Sequence, residues 1–550
     1  MRLSAFVSFA VAFVSVVANN ETGVPVGTPV PGDYTGPLRP QVHFSPPQHF
    51  MNDPNGCFFD GVDTWHLYYQ YNPTAITGGN QHWGHAISKD LYHWVNEPIA
   101  IFPPDDNTQV YSGSAVIDVD NTSGFFPNQK NGVVAIYTLN SPGKEVQAIS
   151  YSTDGGYTFT AYEGNPLIDI NNPDFRDPKV IWYNDHWVMA VAYAQANTIA
   201  FYTSPDLKAW THASNFTNPG LIAGQSTECP NMIEVPVDGT NQKKYLLTIS
   251  RGGGFPNGGS GIQYFVGDFD GQAFTTNDDR TRWIEIGKDS YAGQFFWNVP
   301  DSVQGGVWIG WASNLPYSGG LPTAQENWRS SMTAPRRTFL KTASDPALFD
   351  LVLDLYDPSP VLGKDLDAKT VTGDVSAYSV DFSSVAANAV YLEANITGIG
   401  AAQNASFQYT LASATSGESV LASYAFSGAF EIDRANTKGW TDGGYVAPIR
   451  TEGLADPGDS WTFTALFDRS MLEVFLNGGL HAGTANVYPS EPLTQVSVAT
   501  SGLPADAQVS LRVREVLSGW NPPPGESGGS GTCKRDAAPR WTPKSKRVVS

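Results

Sequence analysis

Cysteine, positive charge and long apolar runs are all scarce in this chain. Three cysteines in 550 residues, Cys57, Cys229 and Cys533, make no disulfide framework. Stability must therefore come from core size, with at most one bond and one thiol left over. Lys and Arg number 32 against 53 Asp and Glu, a formal charge of −21. That balance argues against nucleic acid or an anionic membrane surface as a partner. Beyond the N-terminus no stretch reaches the roughly 18 consecutive apolar residues of a bilayer span, so no membrane partner is expected. Long segments of helical period are missing as well, which points to an all-β chain.

Hydrophobic residues are plentiful at 41%, and aromatics reach 12%, as suits side chains packed between sheets or stacked on sugar rings. Residues 1–19 read as a signal peptide, with Arg2 in the n-region, an apolar run over 6–17 and small Ala18 for cleavage. Asn20, Asn121, Asn215, Asn395 and Asn404 each begin an N-x-S/T sequon. Together these features predict a secreted glycoprotein in the extracellular or cell-wall space.

Residues 20–40 form a Pro/Gly/Thr/Val leader expected to lie on the surface. From 41 to 340 short β-rich runs, such as 65–71, 132–139, 180–191 and 245–250, alternate with Gly, Pro, Asn and Asp. A loose repeat punctuates them. Ser88-Lys89-Asp90-Leu91 leads to Trp94, Ser152-Thr153-Asp154-Gly155 to Phe159, Ser204-Pro205-Asp206-Leu207 to Trp210, and Gly267-Asp268-Phe269-Asp270 to Phe274. A period of roughly 50–65 residues is that of propeller blades. Residues 341–370, with Asp345-Pro346 and Asp357-Pro358-Ser359-Pro360, are expected as a linker. Even strands over 371–518 predict a β-sandwich. The tail, 519–550, is Pro/Gly/Ser-rich and then basic, with dibasic pairs at 534–535 and 546–547, and is expected to be disordered.

Several tempting motifs fail on context. Gly525-Glu526-Ser527-Gly528-Gly529 has the form of a hydrolase elbow but lies in the tail. His82-Trp83-Gly84-His85 lacks further ligands, so structural histidines are expected and no metal. Asp118-Val119-Asp120-Asn121 opens like a calcium loop, but Ser123 and Gln129 stand where Gly and Glu are required. Cys229 has no His partner at a recognisable spacing and reads as a packed or semi-exposed thiol.

What remains is three acids beside prolines. Met51-Asn52-Asp53-Pro54-Asn55-Gly56 and Phe175-Arg176-Asp177-Pro178 each place a carboxylate before Pro, and Thr227-Glu228-Cys229-Pro230 places a Glu beside a thiol. Proline biases the residue before it to extended backbone. Glycosidic cleavage needs two carboxyl groups flanking the bond.

These three strings resemble the signature motifs of glycoside hydrolase family 32, the invertases, inulinases and fructosyltransferases. The likeness extends to Trp65-His66-Leu67-Tyr68-Tyr69-Gln70-Tyr71-Asn72-Pro73, Trp83-Gly84-His85-Ala86, Tyr111-Ser112-Gly113-Ser114, Gln263-Tyr264-Phe265-Val266-Gly267, Trp328-Arg329-Ser330-Ser331-Met332 and Asp468-Arg469-Ser470-Met471-Leu472-Glu473-Val474-Phe475. It runs from about 41 to 516 and is nearest to the secreted invertases of fungi and yeasts.

The resemblance implies a five-bladed β-propeller followed by a C-terminal β-sandwich, with no cofactor. It implies hydrolysis of sucrose and related terminal β-D-fructofuranosides through a covalent fructosyl-enzyme, with fructosyl transfer at high sucrose. Asp53 would be the nucleophile, Glu228 the acid and then base, and Asp177 the grip on fructose hydroxyls. Asn52, Gln70, Tyr111, Ser112 and Arg176 would line the pocket. Arg176 and Asp177 are strand neighbours, so a bend is needed for both to face it. A fructosyltransferase or exo-inulinase and a non-catalytic sugar-binding relative are the alternatives, and the association of yeast relatives through the sandwich leaves a homodimer open. Thr77-Gly78-Gly79 and Leu315 stand where many relatives carry Trp, Cys57 replaces an aliphatic residue, and Asn327 stands where Pro is frequent.

Overall fold

The computed structural model describes residues 24–520 except 401 and 403. The expected signal peptide, Asn20, the 525–529 string, Cys533 and the dibasic pairs lie outside the described residues. Five sheets between His49 and Leu355 stand around one axis as the blades of a propeller. Their innermost strands are His49–Phe59, Gln109–Ile117, Phe175–Tyr183, Thr227–Pro236 and Tyr291–Phe295. Each neighbours the next, and the fifth returns to the first, so the ring closes.

Blades pack face to face, and this explains why their strands read as near-continuous apolar runs. All eight residues of Trp65–Asn72 are buried. Val116, Ile136 and Ile149 of the second blade meet Val180, Met189 and Ala200 of the third. Ile181, Val188 and Ile199 on that blade's other face meet Met232, Leu247 and Phe265 of the fourth. The run at 180–191 is two strands, parted by a turn with Asn184 at φ 50.

The aromatic-closed repeat has a fixed place: it is the turn between third and fourth strands in blades one to four. Ser88 Oγ accepts from Leu91 N, and Asp90 Oδ1 from His93 N. Ser152 and Asp154 close the second turn in the same manner, and Asp206 the third. Small side chains that bond their own backbone stabilise such turns.

The structure differs from the expected linker. Phe349–Leu355 is the fourth strand of the fifth blade, and Leu362–Thr372 opens the sandwich. The leader is also less superficial than expected near its end, because Arg39 is fully buried between the rings of Tyr34 and Trp328. Two six-stranded sheets make the sandwich, and strands such as Ser419–Ala425 alternate buried and half-buried residues. Met471–Leu476 is instead buried throughout, because its outer face meets the propeller. There Arg336 pairs with Glu285 at 2.5 Å and Glu473 at 2.9 Å, and His43 Nδ1 lies 2.9 Å from Asp468. Asn215, Asn395 and Asn404 are exposed, while half-buried Asn121 accepts from Phe126 N at 2.6 Å.

Candidate functional site

Every inner strand loses regular pairing at the same depth. The register shifts fall between Met51 and Pro54, Val110 and Gly113, Arg176 and Lys179, Glu228 and Asn231, and Tyr291 and Gln294. Each shift contains a Pro or Gly, in Asp53-Pro54-Asn55, Ser112-Gly113-Ser114, Asp177-Pro178-Lys179, Cys229-Pro230-Asn231 and Ala292-Gly293-Gln294. Bulges re-aim side chains at the cost of ladder bonds. Here they turn Asp53, Ser112, Asp177 and Cys229 toward one another at the axis. The third residues, Asn55, Ser114, Lys179, Asn231 and Gln294, form a buried polar layer.

The bend required at Arg176-Asp177 is present, but at two of the three residues before proline the backbone is not extended as expected. Asp177 and Cys229 have φ of 67 and 46. Left-handed backbone in a non-glycine residue before Pro is strained, and the bulge hydrogen bonds hold it. Asp177 N–H donates to Thr138 Oγ1 at 3.1 Å, and Cys229 N–H to Asp177 Oδ2 at 2.9 Å.

Asp53 is half-buried and accepts from Ser112 Oγ at 2.6 Å and Asn52 Nδ2 at 3.0 Å. Gln81 holds Asn52 in turn, donating to its Oδ1 at 2.8 Å. The Cys229 thiol lies 3.5 Å from Asp53 Oδ2 and 3.6 Å from Asp177 Oδ2, so both carboxyls reach one sulfur. Glu228 accepts from the Tyr291 hydroxyl at 2.5 Å, and its other oxygen lies 3.7 Å from Arg176 Nε. Arg176 is fixed by Glu145 at 2.7 Å. Tyr111 stands half-buried among the charges of Glu145, Arg176, Asp177 and Glu228. Gln70 is buried beneath, donating to Val110 O at 3.0 Å rather than to an acid.

Burial and crowding set the protonation. Burial, aided by the charges of Glu228 and Asp53 and opposed by Arg176, pushes Asp177 up to about 8. Asp53 is also raised, by burial first and Glu228 next, against the hydrogen bonds of Ser112, Asn52 and Cys229. Burial and the three carboxyls lift the Cys229 thiol well above its ordinary value. The site thus joins a carboxyl wrapped in donors, a second bridged to a phenol, and a third held beside a guanidinium. That set suits nucleophilic attack with proton delivery at one bond.

Tyr291 and the central place of Cys229 escaped the sequence reading. The fifth blade lacks the turn repeat, and only its register shift would have marked Tyr291. The rim departures gather together: Leu315 packs with Phe50, Cys229, Tyr291 and Trp311, and a Cβ on Gly78 would meet Phe50 at 3.7 Å. Asn327 has φ 60, which Pro cannot adopt, and its carbonyl accepts from His49 N at 2.8 Å. Among the described residues, no group of three or more His, Cys, Asp or Glu is placed to hold a metal ion.

Comparison with known proteins gives the family and the fold. Residues 43–349 match the description "Glycosyl hydrolases family 32 N-terminal domain", and 362–515 match "Glycosyl hydrolases family 32 C terminal". The chain is 39% identical over 464 residues to the extracellular exo-inulinase of Meyerozyma guilliermondii, covering 80% of this chain and 88% of that one. It is 47% identical over 314 residues to invertase 2 of Saccharomyces cerevisiae, covering 55% and 58%. Among solved structures, exo-inulinase from Aspergillus awamori superposes with a TM-score of 0.80 at 32% identity, covering 89% of this chain and 100% of that one. The β-fructofuranosidase of Schwanniomyces occidentalis complexed with fructosyl-erythritol gives 0.79 at 32%, covering 88% and 98%.

Proposed function

The chain belongs to glycosyl hydrolase family 32, and from that premise we propose that it is a retaining β-fructofuranosidase, an invertase that hydrolyses sucrose and related terminal β-fructofuranosides. One observation carries the reading: Asp53, Asp177 and Glu228, from three inner strands, converge around Cys229 with donors already aimed at each carboxyl.

Asp53 attacks the anomeric carbon of fructose, and the electron pair of the glycosidic bond leaves with the glucose oxygen, which Glu228 protonates. The fructosyl ester on Asp53 is then opened by water, whose proton returns to Glu228. Ser112 and Asn52 stabilise the Asp53 anion before attack. Asp177 bonds fructose hydroxyls and strengthens that grip as the ring becomes oxocarbenium-like. Tyr111, Arg176 and, through the Val110 carbonyl, Gln70 shape the same pocket.

Sucrose turnover by wild type and Asp53→Asn, with glucose and fructose quantified separately, tests this. Wild type should release both, and Asp53→Asn should lose several orders of magnitude. A glucose excess at high sucrose would report transfer of fructose, and release of neither sugar from wild type would overturn the reading.

A second reading, exo-attack on fructan chain ends, is favoured by the open rim, where a Cβ on Gly79 would meet nothing within 4 Å. Export is proposed from the leader, the sequons and a relative named extracellular. An intact mass beginning at Met1 in the culture medium would count against cleavage of the leader.

A further inference from the structure

The lead-in to the Tyr291 strand is built by the other domain. Residues 285–289 run along the sandwich strand His481–Asn486: Ile286 N donates to Ala482 O at 2.8 Å, and Lys288 N and Asp289 N to Thr484 O at 3.1 Å each. A Cβ on Gly287 would come 2.1 Å from Thr484 N, so the backbones touch. At the end of this seam Asp289, fully buried, accepts from Asn486 N at 2.8 Å, from the Tyr317 hydroxyl and from Arg434.

Arg434 belongs to the sandwich and is also fully buried. Three further hydrogens go to Tyr445 O at 2.8 Å, Asn486 O at 2.8 Å and the Tyr317 hydroxyl at 3.0 Å. Two residues beyond Asp289, Tyr291 donates to Glu228 at 2.5 Å. Two residues before Tyr317, Leu315 packs against the apolar cluster that holds Tyr291 and Cys229. One guanidinium therefore ties both flanks of the pocket's fifth-blade wall to the sandwich.

We propose that the sandwich serves catalysis through Arg434, a positioning residue that fixes Asp289 and Tyr317 and so keeps the Tyr291 hydroxyl on Glu228. This rests on Glu228 being the proton donor. With Tyr291 occupying Oε2, the proton of Glu228 is confined to Oε1, the oxygen on the Arg176 side. Misplacing Tyr291 frees the carboxyl to rotate, and proton delivery to the leaving oxygen suffers. Fructose binding, on Asp53, Asp177 and Ser112, is left alone.

The test is a double-mutant cycle of Arg434→Met and Tyr291→Phe, read as kcat/KM for sucrose and for an aryl β-fructofuranoside whose leaving group needs no proton. Arg434→Met should lower kcat/KM for sucrose by about tenfold or more and for the aryl substrate by less than about threefold. Adding Tyr291→Phe should then cost much less than it does in wild type. Equal losses on both substrates, or fully multiplicative losses in the cycle, would overturn the proposal. Removing a buried Arg strands Asp289, so Tyr317→Phe, which keeps its ring, runs through the same cycle and decides the matter if Arg434→Met does not fold. Glu228→Gln on the same substrate pair separates the premise from the inference. If it spares sucrose and aryl substrate alike, the acid assignment fails, and not the role of Arg434.

Discussion

The backbone N–H of Cys229 donates to Asp177 Oδ2 at 2.9 Å, joining two residues that both precede a proline and both carry positive φ. Each left-handed kink thus positions the other: Asp177 turns in to accept, and the kink at Cys229 presents the donor. The same kink brings the thiol to Asp53.

A bulky adduct on that sulfur would fill the space between nucleophile and third acid. An organomercurial should therefore abolish turnover, fructose should slow the loss, and Cys229→Ala should be resistant. Iodoacetamide near neutral pH should react poorly, because burial and three carboxyls keep the sulfur protonated. Full activity in protein shown by mass spectrometry to be labelled at Cys229 would contradict this.

Asp177 is held in a place that disfavours its charge. Its pKa is raised from 3.8 to about 8 by burial, so the folded state keeps a proton that the unfolded state releases. That contribution is present below about pH 4 and is lost as pH rises through 8. Asp177→Asn should melt higher than wild type near pH 8, converge with it below about pH 4, and lose most turnover. A lower melting point at both extremes would mean that the carboxylate supports the fold.

His43 behaves in the same sense at the domain joint. Burial opposes its charge, but Asp468 and Glu473 lift its pKa to about 9. Its contribution is complete below about pH 6.5 and lost as pH rises through 9. Unfolding free energy should decline across that window, and His43→Gln should flatten the decline while lowering stability at pH 5. An unchanged slope in urea unfolding would assign the alkaline loss elsewhere.

The rim offers a specificity test. Gly78 points at Phe50, and Leu315 shares that wall. Gly78→Trp or Leu315→Trp should lower kcat/KM for inulin-type oligosaccharides against sucrose by about fivefold, since the added ring occupies the space of the longer leaving group. An unaltered ratio would place the leaving group on another part of the rim.

Much of this was legible in the chain. The Ser-x-Asp turns fell between third and fourth strands because a side chain that bonds its own backbone acts within a few residues, wherever the turn sits. Pairs such as Arg176 and Asp177 could be named, and the need for a bend between them stated, from strand geometry alone. The supposed linker at 341–370 misled because its Asp-Pro breakers end strands without excluding them, and Phe349–Leu355 pairs with a partner already formed.

The sequence by itself determined the class of fold, the order of the two domains and which carboxyls stand beside a proline or a thiol, because periodicity, turn chemistry and local motifs act over a few residues. Only the tertiary structure decided that five bulges align at one depth, that a thiol sits between two acids, and that Tyr291 meets Glu228 while Arg434 braces the wall behind it. Those relations join residues 52 to 176 positions apart. Such contacts are made by closing the ring and docking the sandwich, and no short-range pattern encodes them.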